Sequence, residues 1–281
     1  MVLDSYYWLF LLLWFLRFLC ILLSISRIWK SYSKTIESRS GFSRSLQKKL
    51  YKKVFEKTDK IIIPDYPLPY IVCRKNLEFS PKVLKKLFYS SPLVREKYEE
   101  VDRIPLKKPH IVSLIGGFGY REPIFRKVLT TAALDQGINY TLISGPNLDP
   151  TKFREIPKNV QLLRFVEDTF PYIKSSDVVI APGGHSTIME ALSFVPILSF
   201  LDEGHSEQEN NAVVIEEEGY GRMLTSYSAP SEVIFEYIRE VLEEDEKYRN
   251  KVERLQQLAA ELNGPEAIRE LLEKKVGGKV F

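Results

Sequence analysis

Residues 177–212, DVVIAPGGHSTIMEALSFVPILSFLDEGHSEQENNA, constrain the fold more than any other stretch of the chain. The apolar run Val178-Val179-Ile180-Ala181 empties into Gly183 and Gly184, and a helical pattern follows from near Ser186 or Thr187. A second apolar run, 196–200, leads through an acidic and polar loop to another helix start at 206–211. Strand, turn and helix in this succession predict an α/β domain with a parallel sheet. Where two strand ends open beside helix N-termini, unpaired amides and the helix dipole favour an anion.

At 281 residues the chain has length for one or two domains and ample material for a core. Its 40 basic and 37 acidic residues leave a formal charge of +3, which gives no reason to expect nucleic acid as the main partner. Cys20 and Cys73 stand far apart, and His110, His185 and His205 match no helical metal motif, so neither a disulfide framework nor a metal site is expected.

The N-terminus departs from this soluble character. YYWLFLLLWFLRFLCILLSIS, at 6–26, is long enough for a membrane-crossing helix, which needs about 20 residues. Arg17 in its middle costs about 2.5–3.5 kcal/mol on an insertion scale, which the many Leu, Phe and Trp neighbours outweigh. With no basic segment before it and no small-residue cleavage pattern after it, the run reads as a membrane anchor, single-pass or peripheral, rather than a cleaved signal. A hydrophobic helix of a further soluble domain is the other reading. Arg27, Lys30, Lys34, Arg39 and Arg44 on the following flank place the globular part in the cytoplasm.

Residues 1–30 are thus expected as an anchoring helix, 31–107 as a basic helical segment, and 108–275 as a ligand-binding domain. Leu46, Leu50 and Val54 recur at four-residue spacing among Lys48, Lys49, Lys52 and Lys53, which fits an amphipathic helix on an anionic membrane or an ordinary surface helix equally. Lys60-Ile61-Ile62-Ile63 reads as a short buried strand stopped by Pro64, and Pro67 and Pro69 bar a central strand beyond it. An apolar strand at 110–115 enters Gly116-Gly117-Phe118-Gly119, with a helix from about Glu122 to Leu134; the glycine spacing matches neither GxGxxG nor a Walker loop. Further strands are expected at 139–144 and 160–165, a short helix around Tyr172 and Ile173, and an edge strand at 222–224. A helix from Pro230 to about Leu242 and two amphipathic helices in 243–274, broken at Gly264-Pro265, complete the pattern.

Gly184, Thr187, Glu190, Pro196, Gln208 and Asn211-Ala212 together resemble the signature of the two-domain, Rossmann-like (GT-B type) glycosyltransferases of the peptidoglycan N-acetylglucosaminyltransferase group, in their C-terminal donor-binding domain. The resemblance implies a Rossmann-like sheet at 108–275 that binds a nucleotide sugar, and makes 31–107 the remnant of an incomplete acceptor domain with an interdomain linker at 90–95. It places Gly117 in a loop facing the phosphates, gives Gly183, Gly184, Ser186 and Thr187 the diphosphate, and gives Glu190 the ribose hydroxyls. Residues 165 and 166 fall where the nucleobase is received. Glu207 and Gln208 fall where sugar hydroxyls are contacted, His205 within reach of the phosphate or leaving group, and Asn211 where it supports the loop. The chemistry suits these roles, because an ionised carboxylate only accepts and a vicinal diol offers two donors.

Structural readings compete with each role. Thr187-x-x-Glu190 and Ser206-x-x-Glu209 are also capping boxes, residues 116–119 also fit a plain tight turn, and His205 also fits an ordinary loop histidine. One departure from the family pattern matters. The interval 191–195 before Pro196 is one residue short and lacks the usual glycine, so Phe194 or Val195 must turn the chain another way.

The resemblance implies a membrane-associated glycosyltransferase, or its donor half, moving a hexose or N-acetylhexosamine from a UDP-sugar to a lipid-linked acceptor with inversion. It implies no cofactor and no metal; the UDP-sugar is a substrate, and no DxD-like motif stands in the expected loop. The general base comes from the first domain in this family, so no catalytic residue is named. The short first half implies an acceptor-binding partner subunit, as in the eukaryotic two-subunit transferase that adds the second N-acetylglucosamine to dolichol diphosphate. A non-catalytic nucleotide-sugar-binding subunit, a truncated inactive fragment and a sugar-nucleotide epimerase are the other readings.

Overall fold

The structure is a computed structural model that describes residues 2–4, 21–23, 55–77, 79–95, 98–115, 119–202, 204–224 and 229–276. These form two compact units, one of residues 1–93 and 258–281, the other of residues 94–257.

The first unit carries a four-stranded sheet, all of its pairs parallel, in the order β1 (Val2–Asp4), β2 (Ile21–Leu23), β3 (Lys60–Ile63), β4 (Leu87–Tyr89). β3 is nearly all isoleucine because both faces of an interior parallel strand are covered; Ile61, Ile62 and Ile63 are buried. A short helix, α1 (Pro81–Leu84), precedes β4. The loop after β3 is tied by the buried Asp65 carboxylate, which accepts the N–H groups of Tyr66, Val72 and Cys73 at 2.7, 3.2 and 2.8 Å.

Two expectations change here. Of the run expected as a helix, Ile21–Leu23 is instead a strand, paired in register with Lys60–Ile62. A continuous apolar run suits a covered parallel strand as well as it suits a membrane helix, and periodicity cannot separate the two. Among the described residues no helix is long and apolar enough to cross a membrane. The rest of 6–26, and the Leu46, Leu50 and Val54 stripe, lie outside the described residues. Within 31–107, expected as a basic helical segment, the described part carries β3, which the sequence pointed to, and β4, which it did not.

The second unit is built on a six-stranded, all-parallel sheet in the order β10-β9-β8-β5-β6-β7. Its strands are β5 (His110–Ser113), β6 (Asn139–Ile143), β7 (Val160–Leu163), β8 (Val178–Ala181), β9 (Ile197–Phe200) and β10 (Gly221–Leu224). The helices are α2 (Glu122–Ala133), α3 (Phe170–Ser175), α4 (His185–Leu192), α5 (Ser206–Glu218), α6 (Ser231–Glu243) and α7 (Asp245–Leu262). α8 (Gly264–Val276) follows Asn263, whose positive φ of 44° makes the break that Gly264-Pro265 predicts. The compact unit begins at 94 rather than 108 and ends within α7.

Ile111, Tyr140, Leu142, Val178, Ile180, Leu198 and Phe200 on one sheet face join Ile124, Phe125 and Val128 of α2 and Ile234 and Ile238 of α6 in one core. The alternate residues Val112, Val179, Ala181 and Ile197 are equally buried, because α3 and α4 pack on the sheet as well. The interior strands, covered on both faces, read as short and largely apolar runs, which is why they are legible in the sequence.

The missing glycine before Pro196 is absorbed without a left-handed residue. Ser193 stays right-handed, and the N–H groups of Phe194 and Val195 both reach the Ala191 carbonyl at 2.9 Å. Since α4 runs back along the sheet from the strand C-termini, this turn lies at the opposite edge from the crevice. Phe194 is 5% exposed and packs against the rings of Phe170 and Tyr98 at centroid distances of 5.3 and 5.7 Å. Phe194→Ala is expected to lower stability by about 3–5 kcal/mol, and Phe194→Leu by less, in urea unfolding followed by circular dichroism.

Candidate functional site

The strand order reverses between β5 and β8, so the loops leaving their C-terminal ends part and open a crevice at the sheet edge. Of the β5 loop, Gly117 lies outside the described residues, and Gly119, Tyr120 and Arg121 form the turn into α2. The β8 loop is short: Pro182 and Gly183 lead to Gly184, which is the N-cap of α4 with extended φ −69° and ψ 135°. The helix therefore starts at His185, a residue or two before the expected start.

This registration removes the capping-box reading of Thr187 and Glu190. With Gly184 as N-cap, Thr187 falls at the third helical position and Glu190 well inside the helix, and no side chain caps α4. His205 is likewise the N-cap of α5, no side chain caps that helix, and Ser206 and Glu209 make no box.

The glycine pair divides into two roles. A Cβ on Gly183 would stand 2.8 Å from the Gln208 carbonyl oxygen and 2.9 Å from both Gln208 Cβ and Leu201 Cδ2, so Gly183 is needed for the packing of this turn against α5. A Cβ on Gly184 would meet nothing within 4 Å. The open space is at the helix N-terminus, where amides and dipole attract negative charge. Ser186 is exposed and Thr187 half-buried beside it.

Glu190 is half-buried, and among the described residues its carboxylate receives no hydrogen bond. Burial raises its pKa above the ordinary glutamate range; Arg95 opposes the shift and Asp168 adds to it. Arg95 is itself held by Asp168 at 3.3 Å and lies over the Phe170 ring, 4.7 Å from its centroid. Asp168 also accepts the Phe170 N–H at 3.0 Å. The predicted residue thus sits beside a basic and an acidic partner that the motif did not reveal.

On the α5 side, Asn211 is fully buried and its Nδ2 donates to the Gly183 carbonyl at 3.1 Å, which holds the β8 turn. Gln208 is 6% exposed, and its Nε2 donates to Asp202 Oδ2 at 2.9 Å while its Oε1 accepts the Asp202 N–H at 2.8 Å. Asp202 in turn accepts Arg121 Nε at 2.9 Å and Arg121 Nη2 at 2.6 Å, with Tyr120 OH at 3.2 Å. His205 and Glu207 are half-buried at the start of α5. The structure therefore brings Gly183, Gln208 and Asn211 into one connected group and sets Glu190 farther along α4.

Arg121, Asp202 and Arg95 were not foreseen. A signal existed for the first two: a charged residue directly after a buried strand or a glycine-rich turn is rarely buried unless paired. Arg121 and Asp202 are both nearly buried, and breaking such a pair from one side costs about 3–5 kcal/mol.

Gly183→Ala should destabilise the fold by about 1–3 kcal/mol through overpacking. Gly184→Ala, whose backbone suits alanine, should leave it unchanged or up to about 1 kcal/mol more stable; thermal melts of the two variants check the division. A second expectation concerns charge. Because the folded pKa of Glu190 is raised, protonation stabilises the fold fully below the ordinary value of about 4.3, and that contribution is lost as pH rises through the folded value. Glu190→Gln should therefore raise Tm at pH 7 and lose its advantage in acid; a difference constant with pH would count against the burial argument.

Residues 111–263 match the model of the glycosyltransferase family 28 C-terminal domain. Over 236 residues the chain is 81% identical to an uncharacterized glycosyltransferase of Methanosarcina mazei, covering 84% of this chain and 62% of that protein. Over 75 residues it is 33% identical to the UDP-N-acetylglucosamine–N-acetylmuramyl-(pentapeptide) pyrophosphoryl-undecaprenol N-acetylglucosamine transferase of Bdellovibrio bacteriovorus, covering 26% of this chain and 21% of that protein. Among solved structures, the calicheamicin glycosyltransferase CalG4 superposes with a TM-score of 0.70 at 17% identity, over 100% of this chain and 74% of that one. The chain spans 62% of the length of the first curated relatives it matches. Its second unit has the Rossmann-like sheet of the C-terminal GT-B region, and the chain belongs to the glycosyltransferases defined by the family 28 C-terminal domain.

Proposed function

We propose that the crevice binds the nucleoside diphosphate of a UDP-sugar, and that the chain supplies the donor half of a glycosyltransferase acting on a lipid-linked acceptor. The observation that carries the reading is Glu190, a half-buried carboxylate with no hydrogen-bond donor among the described residues, on the helix whose uncapped N-terminus faces open space at Gly184. A ribose diol supplies the donors such a carboxylate lacks, and a diphosphate suits the α4 amides. Residues 165 and 166, which follow β7 at the same end of the sheet, receive the base in this reading.

The transfer itself is a displacement at the anomeric carbon. The acceptor hydroxyl attacks as a base from outside the donor domain takes its proton, the bond to the diphosphate oxygen breaks with both electrons going to the diphosphate, and the configuration inverts. The α4 N-terminus stabilises charge on the departing diphosphate, an electrostatic contribution that needs no movement during the reaction. Gln208, with one amide hydrogen and one carbonyl lone pair engaged by Asp202, keeps the other of each for sugar hydroxyls. The lipid-linked acceptor draws its support from the printed name of the Bdellovibrio relative, whose acceptor is carried on undecaprenol, and from the family resemblance. In this reading membrane association follows from the acceptor.

The test is calorimetric competition among UDP-sugars with the full chain and with Glu190→Ala. Loss of hydrogen bonds to a charged acceptor, each worth about 1.5–3 kcal/mol, should weaken binding roughly 10- to 100-fold. Unchanged affinity in a folded variant would reject the ribose role, and no affinity of the wild type for any UDP-sugar would reject the function.

A further inference from the structure

The group around Asp202 is built in a way that donor contacts alone do not explain. Asp202 is 4% exposed and Arg121 8%, so both charges have left water. The carboxylate receives Arg121 Nε on Oδ1 at 2.9 Å, and on Oδ2 it receives Arg121 Nη2 at 2.6 Å, Gln208 Nε2 at 2.9 Å and Tyr120 OH at 3.2 Å. Its own N–H donates to Gln208 Oε1 at 2.8 Å. A backbone N–H can only donate and a carboxylate can only accept, so this pair of bonds fixes which end of the Gln208 amide points where. Three separate parts of the chain meet at one side chain: the turn after β5, the loop after β9 and the first turn of α5.

Holding these parts together needs no ions. Buried ion pairs exchanged for apolar residues of similar volume often leave a protein as stable or more so, because two desolvated charges recover little net energy. What an apolar contact lacks is direction. The fork of an arginine against a carboxylate sets both distance and plane. We infer that Asp202 is a positioning residue for the sugar end of the donor, setting the gap between the 119–121 turn and α5 and orienting the Gln208 amide without itself touching ligand. The inference rests on the nucleotide-sugar reading of the crevice and separates the two ends of the ligand: Glu190 serves the nucleoside end, Asp202 the sugar end.

The experiment compares wild type, Asp202→Asn, the neutral double variant Arg121→Gln/Asp202→Asn, and Tyr120→Phe. Each full chain is titrated with UDP and with the UDP-sugar the wild type binds best. Asp202→Asn should weaken the UDP-sugar about tenfold or more while UDP alone stays within about twofold, and the double variant, which leaves no unpaired buried charge, should fold and show the same split. Tyr120→Phe, which removes only the longest of these bonds, should show a smaller effect in the same direction. Equal weakening of both ligands, or of neither, overturns the inference. Hydrogen exchange without ligand gives a second decision: Asp202→Asn should speed exchange in both 119–121 and 206–211, and acceleration confined to 201–205 overturns the coupling. If the wild type binds no UDP-sugar, the nucleotide-sugar reading falls, the sugar-end assignment falls with it, and the exchange result decides the coupling of the two loops alone.

Discussion

Six strands that all run the same way cannot be joined by hairpins. Each must return through a crossover on one face or the other, and a right-handed crossover puts the helices on both faces once the order reverses. From that one constraint follow the burial of both faces of the interior strands, their largely apolar sequences and the collection of the strand exits at one edge. Within the described six-stranded sheet the order reverses between β5 and β8, where neighbouring exits diverge. The candidate residues Gly183, Gln208 and Asn211 lie on the loop and helix beside that divergence.

The charge arrangement at this edge is economical in free ions. Among the described residues Arg121 pairs with Asp202 and Arg95 with Asp168, and in the proposed reading the amides at the start of α4, equivalent to about half an elementary charge, attract the anion. A fixed dipole needs no desolvation when the ligand arrives and no counter-ion when it leaves. A carboxylate in this setting is costly, and Glu190 bears that cost as a raised pKa. A residue kept in a position that opposes its own charge is more readily explained by a ligand than by the fold.

Much of this was legible, and for physical reasons that can be named. The β8 run could be read because covered strands are apolar throughout, and the glycines after it because a side chain there is excluded or unwanted. Gln208 and Asn211, three residues apart, could be read as sharing a helix side, and both are buried on it. The start of α4 could not, because Thr187 and Glu190 satisfy the spacing of a cap without being one, and Gly184 caps by backbone conformation alone. Arg121 and Asp202 meet across 81 positions of sequence, and no local pattern encodes a contact of that range. Residues 21–23 failed for the opposite reason: their composition is equally right for two environments.

Gly183 and Gly184 show how closely the scaffold and the site are interleaved. The first has no side chain because α5 presses on it, and Asn211 holds its carbonyl from that same helix. The second has none within reach of anything, and its carbonyl accepts the Ile188 N–H to start α4. Anything that shifts α5 therefore shifts the turn that aims the α4 amides, and α5 is itself registered by Gln208 on Asp202 and through it by Arg121. The aim of α4 thus depends on a chain of directed polar contacts, while its existence depends only on the sheet. Fold and site draw on different kinds of force, so a chain of 17% identity can share the fold without its site being settled by it.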